Sequence, residues 1–313
     1  MGNKSIKNDV EQLLASQLTE WPTAAGNFEA LKGVKTKEID VDGMKVKVQF
    51  NPARIVSSGA KVDAKTIKER KCFLCEANRP DVQRGIEWGD HYVVLINPFP
   101  IFPRHFTIPD VSHTDQLING RIADMMRLAE AMEGYTVFYN GPFCGASAPD
   151  HMHFQAGNTD FLTVAQAVHD LPGREPIEVD MRGSLSLVKG LPYPIFMINA
   201  TDMDYGQQLF DKLYANLPVQ EGHREPMLNL LCYAHDGSVT LLVIPRKRHR
   251  PTFYGTEGEG TMLISPASVD LGGVFITPLE KDFNAFDADT ARRLYEELCL
   301  SHEEAQAIAD KLK

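Results

Sequence analysis

The segment over residues 140–155, NGPFCGASAPDHMHFQ, limits what this chain can fold into more than any other. Side chains on a β-strand alternate between two faces. A strand over residues 151–155 therefore places His151, His153 and Gln155 on one face and the two intervening apolar side chains in a core. Polar side chains on a buried strand need hydrogen-bond partners or a chemical role. The pattern predicts a functional strand inside a sheet.

The loop in front of this strand is suited to a phosphate group. Gly145 lets backbone N–H groups approach phosphate oxygens closely, and the Ser147 hydroxyl can donate a further hydrogen bond. A neutral imidazole is a good nucleophile toward phosphorus near neutral pH. Gln155 cannot transfer a proton, but its amide can hold a non-bridging oxygen in the transition state. These residues favour transfer to a phosphorylated acceptor over hydrolysis.

Short apolar runs separated by turn residues dominate the chain, without regular β–α–β alternation. Asp42-Gly43 and Asp236-Gly237 are each flanked by strand-like runs, as is typical of β-hairpins. We therefore predict an α+β fold rather than a doubly wound sheet, built of two halves over residues 1–170 and 171–313. The predicted helices cover residues 6–20, 114–133 and most of 287–312, and the predicted strands cover 36–41, 44–50, 91–96, 105–108, 135–139, 151–155, 229–233, 239–245 and 272–278.

Cys72 and Cys75 have the two-residue spacing that lets both thiolates reach one tetrahedral metal ion. His113 and His151 could complete a Cys₂His₂ set, with His105 as the alternative third ligand. Two other interpretations stay open at this point. The pair could be a thiol redox site, which requires a lowered thiol pKa, or two reduced cysteines packed as small apolar residues.

A basic turn, RKRHR over residues 246–250, is the densest positive cluster in the chain. Arg and Lys side chains match phosphate oxygens, so Arg246 and Lys247 are candidates for a clamp on the leaving or acceptor phosphate. Lys281 is a further candidate in the same half. The alternative is a solvated turn after a strand.

The motif at 151–155 and its upstream loop resemble the histidine-triad superfamily, in the branch of galactose-1-phosphate uridylyltransferase, diadenosine-tetraphosphate phosphorylase and GDP-L-galactose phosphorylase. Similar segments follow at 51–54 (NPAR), 97–105 (NPFPIFPRH), 243–248 (VIPRKR) and 272–283 (GGVFITPLEKDF). The resemblance implies two histidine-triad-like halves, with antiparallel sheets and flanking helices. The segments of the C-terminal half look closer to the phosphorylases, which makes phosphorolysis the first expectation.

The resemblance also implies roles for individual residues. His153 is expected to attack a nucleotide α-phosphate and form a nucleotidyl-histidine, while Gln155 stabilises the transition state. In the uridylyltransferases a similar pair of Cys and pair of His binds zinc, and here that zinc would hold His151 so that His153 is oriented. The residues expected near the phosphate are Arg54, Asn140, Gly145 and Ser147.

The net charge and the apolar runs of the chain limit the classes of partner that we expect. The net charge of −10 argues against general nucleic-acid binding, which needs a broad basic surface, but does not exclude one nucleotide held by local Arg and Lys side chains. The N-terminus lacks an apolar signal-peptide core, and no apolar run is long enough for a membrane span. We expect a cytoplasmic protein, and the resemblance adds dimerisation, which is frequent in that branch.

The expected activity is a nucleotidyltransferase or phosphorylase acting on a nucleotide sugar or dinucleoside polyphosphate, with inorganic phosphate or a sugar 1-phosphate as acceptor. Three alternatives stay open: a nucleotide hydrolase of the same fold, a nucleotide-binding protein without turnover, and the thiol redox protein that the cysteine pair suggests.

Overall fold

A ten-stranded antiparallel sheet organises the chain in the computed structural model, which describes residues 5–55, 64–170 and 173–313. A second sheet has three strands, β1-β2-β13. The strands are β1 (Lys35–Val41), β2 (Met44–Phe50), β3 (Gly85–Trp88), β4 (Tyr92–Ile96), β5 (His105–Pro109), β6 (Tyr135–Asn140), β7 (His153–Asn158), β8 (Arg174–Asp180), β9 (Gly183–Val188), β10 (Ile195–Ala200), β11 (Leu228–His235), β12 (Ser238–Pro245) and β13 (Val274–Thr277).

The helices lie on both faces of the large sheet. They are α1 (Lys7–Glu20), α2 (Pro22–Leu31), α3 (Ala64–Glu69), α4 (Ile122–Ala131), α5 (Thr163–Asp170), α6 (Met203–Tyr214), α7 (Ser268–Leu271), α8 (Glu280–Ala285), α9 (Ala288–Leu298) and α10 (His302–Leu312). No helix in these ranges is long and apolar enough to cross a lipid bilayer.

The strand order of the large sheet repeats one pattern twice. From one edge to the centre the order is β3-β4-β5-β7-β6, and from the other edge to the centre it is β8-β9-β10-β12-β11. When the strands of each half are numbered along the chain, both halves have the order 1-2-3-5-4. The halves meet at β6 and β11. Each half places one long helix, α4 or α6, between its third and fourth strands. These helices pack closely at Gly206, where a Cβ would lie 2.5 Å from the Met126 sulfur. The predicted α+β fold with two halves is confirmed.

The two faces of the large sheet bury separate cores. One face packs against α1, α4, α6 and α10, and the other packs against the small sheet with α5 and α9. Within the small sheet, β13 pairs in parallel with β2, so the N-terminal hairpin is completed by a strand of the second half. The boundary at residues 170/171 stays a prediction, and this strand pairing crosses it.

Several element bounds differ from the sequence prediction. The helix predicted from residue 114 begins only at Ile122, because Gly120 has a positive φ of 74° and residues 114–121 form a loop. The strand predicted from residue 151 begins at His153, so His151 lies in the preceding loop. The predicted helical region at the C-terminus is two helices, and Ser301 caps the second with Glu304 in a capping box.

Candidate active site

Gln116 holds the backbone of His153 at the start of β7. Pairing between β6 and β7 ends at Phe138 and Gln155, so the backbone of His153 has no β6 partner. The Gln116 amide fills this gap: its oxygen accepts from the His153 N–H at 2.7 Å, and its nitrogen donates to the carbonyl oxygens of His153 and Asn140 at 3.0 Å each. The nucleophile candidate is therefore fixed at its main chain, although it stands at the end of a strand.

The His153 ring has one defined tautomer. Its Nδ1 lies 2.8 Å from the backbone oxygen of His151, and a carbonyl oxygen only accepts, so Nδ1 carries the proton. Burial lowers the pKa of His153 to about 4, so the ring is neutral near pH 7. Nε2 consequently has an unprotonated lone pair and, among the described residues, no hydrogen-bond partner. That is the state an attacking imidazole requires.

Gln155 is oriented by two neighbours on the same sheet face. Its Oε1 lies 3.0 Å from His105 Nε2 and 3.5 Å from Asn97 Nδ2. The Ile101 N–H donates to His105 Nδ1, so the proton of His105 sits on Nε2 and is donated to Gln155. With its oxygen occupied in this way, the Gln155 amide presents its NH₂ group as a donor. Burial, followed by the charge of Arg54, lowers the pKa of His105 to about 3, which keeps that ring neutral.

Four donor atoms converge beside the start of β7, from Cys72, Cys75, His113 and His151, all within 4.8 Å of one another. Cys72 Sγ and His151 Nδ1 are 3.3 Å apart, Cys75 Sγ and His113 Nδ1 are 3.2 Å apart, and the two Nδ1 atoms are 3.2 Å apart. A tetrahedral zinc ion with bonds of about 2.0–2.3 Å holds its ligand atoms roughly 3.3–3.8 Å apart. The cluster fits such an ion, and His105, the alternative ligand, is bound to Gln155 instead.

The ring nitrogen of His151 that faces away from the cluster also has the partner expected in a metal site. Its Nε2 donates to the backbone oxygen of Asp110 at 2.8 Å, which leaves Nδ1 unprotonated toward the cluster. Burial and the neighbouring Cys72 raise the pKa of Cys75, whereas a redox-active thiol needs a lowered pKa. Geometry and chemistry favour metal binding over the redox alternative.

The loop after β6 is fastened to the second half of the chain. The Asn140 side-chain oxygen accepts from the Ser268 N–H at 2.9 Å and from Asn229 Nδ2 at 3.0 Å. Gly145 has a φ of 96°, and a Cβ there would lie 2.5 Å from the Ala267 Cβ, so no larger residue fits. Ser147 is exposed. Asn140 and Gly145 shape the loop, and a phosphate contact of the Ser147 hydroxyl stays a prediction.

Arg246 lies inside the protein, with 2% of its surface exposed. Its guanidinium donates to the side-chain oxygen of Asn229 and to the backbone oxygens of Pro266, Arg248 and His249, at 2.8–2.9 Å. Only Nε lacks a partner among the described residues. Through Asn229 this arginine is connected to Asn140 and the loop, and its geometry is that of a support for the loop. A direct phosphate contact stays a prediction.

The other predicted phosphate-binding cations are Lys247 and Lys281 in the second half and Arg54 in the short helical turn after β2. Lys247 is exposed beside Arg246, and Lys281 donates to the Thr261 oxygen at 3.0 Å and to Asp282. Arg54 donates to the Phe99 oxygen at 2.9 Å. Burial lowers its pKa to about 10, and its charge contributes to the lowered pKa of His105, so Arg54 lies near that residue.

Two residues that complete the site were not predicted. Gln116 falls in a segment that the apolar periodicity assigned to a helix, so no sequence signal marked it. Asn229 is a polar residue inside the apolar strand β11 and is fully buried. A single amide within an apolar run is visible in the sequence and could have indicated Asn229, since a buried amide needs hydrogen-bond partners.

Comparisons with known proteins agree with this architecture. Residues 13–158 match the sequence profile of DUF4922, described as a domain of unknown function. No curated protein matches the chain significantly in sequence.

Solved structures give similarity over nearly the whole chain. Yeast Ap4A phosphorylase Apa2 in complex with Ap4A is 15% identical, with a TM-score of 0.64 over 96% of this chain and 99% of the yeast chain. Another crystal structure of that enzyme gives 15% identity and 0.61 over 96% of each chain. Its complex with AMP gives 16% and 0.59 over 94% and 96%. The chain therefore shares the fold of this Ap4A phosphorylase over nearly its whole length.

Proposed function

We propose that this chain is a nucleotidyltransferase of the phosphorylase kind that works through a covalent nucleotidyl-His153 intermediate. The observation that carries the proposal is the His153 ring itself, which is neutral, fixed in one tautomer and followed two residues later by an oriented amide donor. The fold shared with an Ap4A phosphorylase, whose crystals hold Ap4A and AMP, supports it.

The first step transfers the nucleotide to the protein. His153 Nε2 attacks the α-phosphorus, a P–N bond forms, and the P–O bond to the remainder of the substrate breaks with its electron pair on the leaving oxygen. The ring becomes positively charged and keeps its proton on Nδ1, where the His151 oxygen accepts that hydrogen bond. The Gln155 NH₂ donates to a non-bridging oxygen as charge develops there.

The second step favours an acceptor that is already ionised. An oxygen of inorganic phosphate or of a sugar 1-phosphate attacks phosphorus, and the P–N bond breaks with its electron pair on Nε2. An ionised phosphate oxygen gives up no proton, so a glutamine suffices where water would need a general base. The substrate class we propose is a nucleotide sugar or a dinucleoside polyphosphate.

The remaining predicted residues have supporting roles in this proposal. A structural zinc ion would be held by Cys72, Cys75, His113 and His151, and it would fix the loop whose carbonyl orients His153. Binding of the transferred phosphate is assigned to the loop with Asn140, Gly145 and Ser147 and to Arg54. Binding of the acceptor is assigned to Lys247, while Arg246 supports the loop from inside the protein. Dimerisation and a cytoplasmic location stay predictions.

Intact-protein mass spectrometry tests the proposal directly. The protein is mixed briefly with UDP-, GDP- and ADP-sugars or dinucleoside polyphosphates and kept mildly alkaline, because a phosphorus–nitrogen bond to histidine is labile in acid. We expect an added nucleoside monophosphate that disappears on addition of phosphate or a sugar 1-phosphate. His153→Ala must abolish the adduct, and His169→Ala, outside the site, must keep it. No adduct with any donor in folded protein contradicts the proposal.

A further inference from the structure

His113 is the most exposed member of the cluster of two cysteines and two histidines. Two of the other three candidate ligands are buried and one is half-buried. The neighbours of His113 in the chain, residues 111–115, are exposed as well, so burial does not fix this ligand. An exposed loop is mobile unless polar contacts hold it. The affinity of the cluster for a metal ion therefore depends on what holds the segment over residues 110–114.

Both ends of this segment are hydrogen-bonded to the residues that lead into β7. At one end, the Asp110 oxygen accepts from His151 Nε2 at 2.8 Å, and the Asp110 N–H donates to the Met152 oxygen at 2.9 Å. At the other end, the Thr114 oxygen accepts from the Met152 N–H at 2.6 Å. The segment closes around these two residues and places His113 Nδ1 3.2 Å from His151 Nδ1. A displacement of either end would move one ligand relative to the other.

The Arg121 guanidinium joins the two ends of the segment. Its Nη1 donates to Asp110 Oδ2 at 2.7 Å and to the Tyr92 hydroxyl at 3.0 Å, and its Nη2 donates to Thr114 Oγ1 at 3.4 Å. The Asp110 side chain is 5% exposed and the Arg121 side chain 24% exposed, so solvent screens this ion pair less than a surface pair. A planar guanidinium can hold several oxygen atoms at once, which a lysine ammonium on its flexible stem does less well.

Arg121 is itself carried by a fixed element of the fold. It is the residue before α4, and the first two N–H groups of that helix, from Ile122 and Ala123, donate to Gln207 Oε1 at 2.8 and 3.0 Å. Gln207 belongs to α6 of the second half. The start of α4 is therefore fastened to a packed helix, and Arg121 relates the position of the exposed segment to the core.

These contacts give Arg121 a role that neither step of the transfer reaction uses. We propose that Arg121 is a positioning residue, which holds the segment over residues 110–114 around the cluster and thereby strengthens its binding of a metal ion. The inference rests on the metal site of the proposed function, but not on nucleotidyl transfer. Groups that hydrogen-bond a metal ligand commonly change metal affinity by about 10- to 100-fold. Asp110 is such a partner of His151, and Arg121 acts through it.

Competition with a chelator tests the inference. Zinc retained by the whole chain is measured over a series of EDTA concentrations, which gives the dissociation constant for zinc. Arg121→Met should raise this constant at least about tenfold. Asp110→Asn should act similarly, and the double variant should be little worse than either, because both changes remove one interaction. Arg127→Met is the matched control: this arginine lies on α4 and pairs with Asp204, so the constant should stay at the parent value.

A merely structural ion pair would give a different result. It would lower the free energy of unfolding equally in zinc-free and zinc-loaded protein, and the dissociation constant would stay at the parent value. Urea denaturation with and without zinc measures this, and that outcome would overturn the inference. If Arg121→Met does not fold, Arg121→Lys takes its place. It should bind zinc more weakly than the parent, because one ammonium group replaces the guanidinium fork, and parent-like affinity would contradict the proposal.

The same measurements distinguish this inference from the proposed function. A folded parent protein that binds no zinc would overturn the metal site and the role of Arg121 together. Zinc binding that Arg121→Met leaves unchanged would overturn the role of Arg121 alone. Failure of the transfer proposal is seen separately, as a missing adduct on His153 in zinc-loaded protein.

Discussion

The Nδ1 atom of His153 lies 2.8 Å from the backbone oxygen of His151, which joins the candidate metal cluster to the candidate nucleophile within three residues. The His151 side chain belongs to the cluster of two cysteines and two histidines, and its main chain decides which nitrogen of His153 is free to attack. A single hydrogen bond therefore couples the position of the cluster to the orientation of the reacting ring.

Replacing the nucleophile should eliminate turnover. His153→Ala is expected to lower kcat by at least about 1,000-fold, as removal of a covalent catalyst does elsewhere, while the protein keeps its fold. Turnover with inorganic phosphate as acceptor is the measurement, and His169→Ala is the matched control. Retained turnover in His153→Ala would assign the chemistry to another group.

Gln155→Glu tests the donor role at nearly constant volume. A carboxylate would replace the NH₂ donor and repel the phosphate, so kcat should fall by about 100- to 1,000-fold, the usual range for a lost oxyanion donor. Melting temperature should change little, because His105 can still donate to the new side chain. An equal loss of stability and activity would point to a structural role for Gln155.

The sequence predicted the residues of the candidate site more completely than the contacts that surround them. Residues that alternate on one strand, such as His153 and Gln155, are visible because their spacing follows from strand geometry. The hairpins at Asp42 and Asp236 were equally clear, and both residues have the positive φ that such turns require, 52° and 48°. Local periodicity and turn chemistry account for this part of the fold.

Contacts between residues that are far apart in the sequence leave no local pattern from which they could be predicted. Gln116 reaches His153 across 37 residues, and Asn229 reaches Asn140 across 89. The apolar residues near Gln116 follow a helical period, but the segment instead forms a loop. The Gln116 side chain in this loop hydrogen-bonds the N–H and the carbonyl oxygen of His153, so tertiary contacts prevailed over local periodicity. Arg246 likewise looked like a surface cation, and only the packed structure reveals its carbonyl partners.

The cluster of two cysteines and two histidines should bind one zinc ion per chain. Cys72→Ser is expected to lower the zinc content, measured by atomic absorption, and to slow adduct formation at His153, because the loop carrying the His151 oxygen loses its anchor. Cys232→Ala, a buried cysteine away from the cluster, is the control and should retain the metal. Full zinc content in Cys72→Ser would exclude this ligand set.

Arg246 and Lys247 are adjacent, but we expect substitution of Arg246 to lower stability and substitution of Lys247 to weaken acceptor binding. Arg246→Ala leaves one amide oxygen and three backbone carbonyl oxygens without their buried donor, so we expect a loss of at least about 1–3 kcal/mol in the free energy of unfolding. Lys247→Ala should change that free energy by less than about 0.5 kcal/mol and raise KM for the phosphate acceptor. Chemical denaturation and acceptor titrations give the two quantities. A stable Arg246→Ala protein would contradict the supporting role inferred for the arginine.

Glu225 should make the protein less stable as pH rises. Burial raises its pKa from 4.5 to about 7, against the opposing hydrogen bonds from Ile118 and Tyr139 and the charge of Arg224. A raised folded-state pKa means that the stabilising contribution is complete below about pH 4.5 and is lost as pH rises through about 7. The shift corresponds to at most about 3 kcal/mol.

The variant Glu225→Gln isolates this effect, because glutamine can accept from the Ile118 N–H with its oxygen and donate to the Tyr139 hydroxyl with its nitrogen. Its free energy of unfolding should exceed that of the parent at about pH 8, and the advantage should shrink toward about pH 5. Other titrating groups, including Asp270, whose pKa burial raises to about 6, are common to both proteins and cancel in the difference. Urea denaturation at a series of pH values measures it. A difference that stays constant with pH would mean that Glu225 has the same pKa in the folded and unfolded chains.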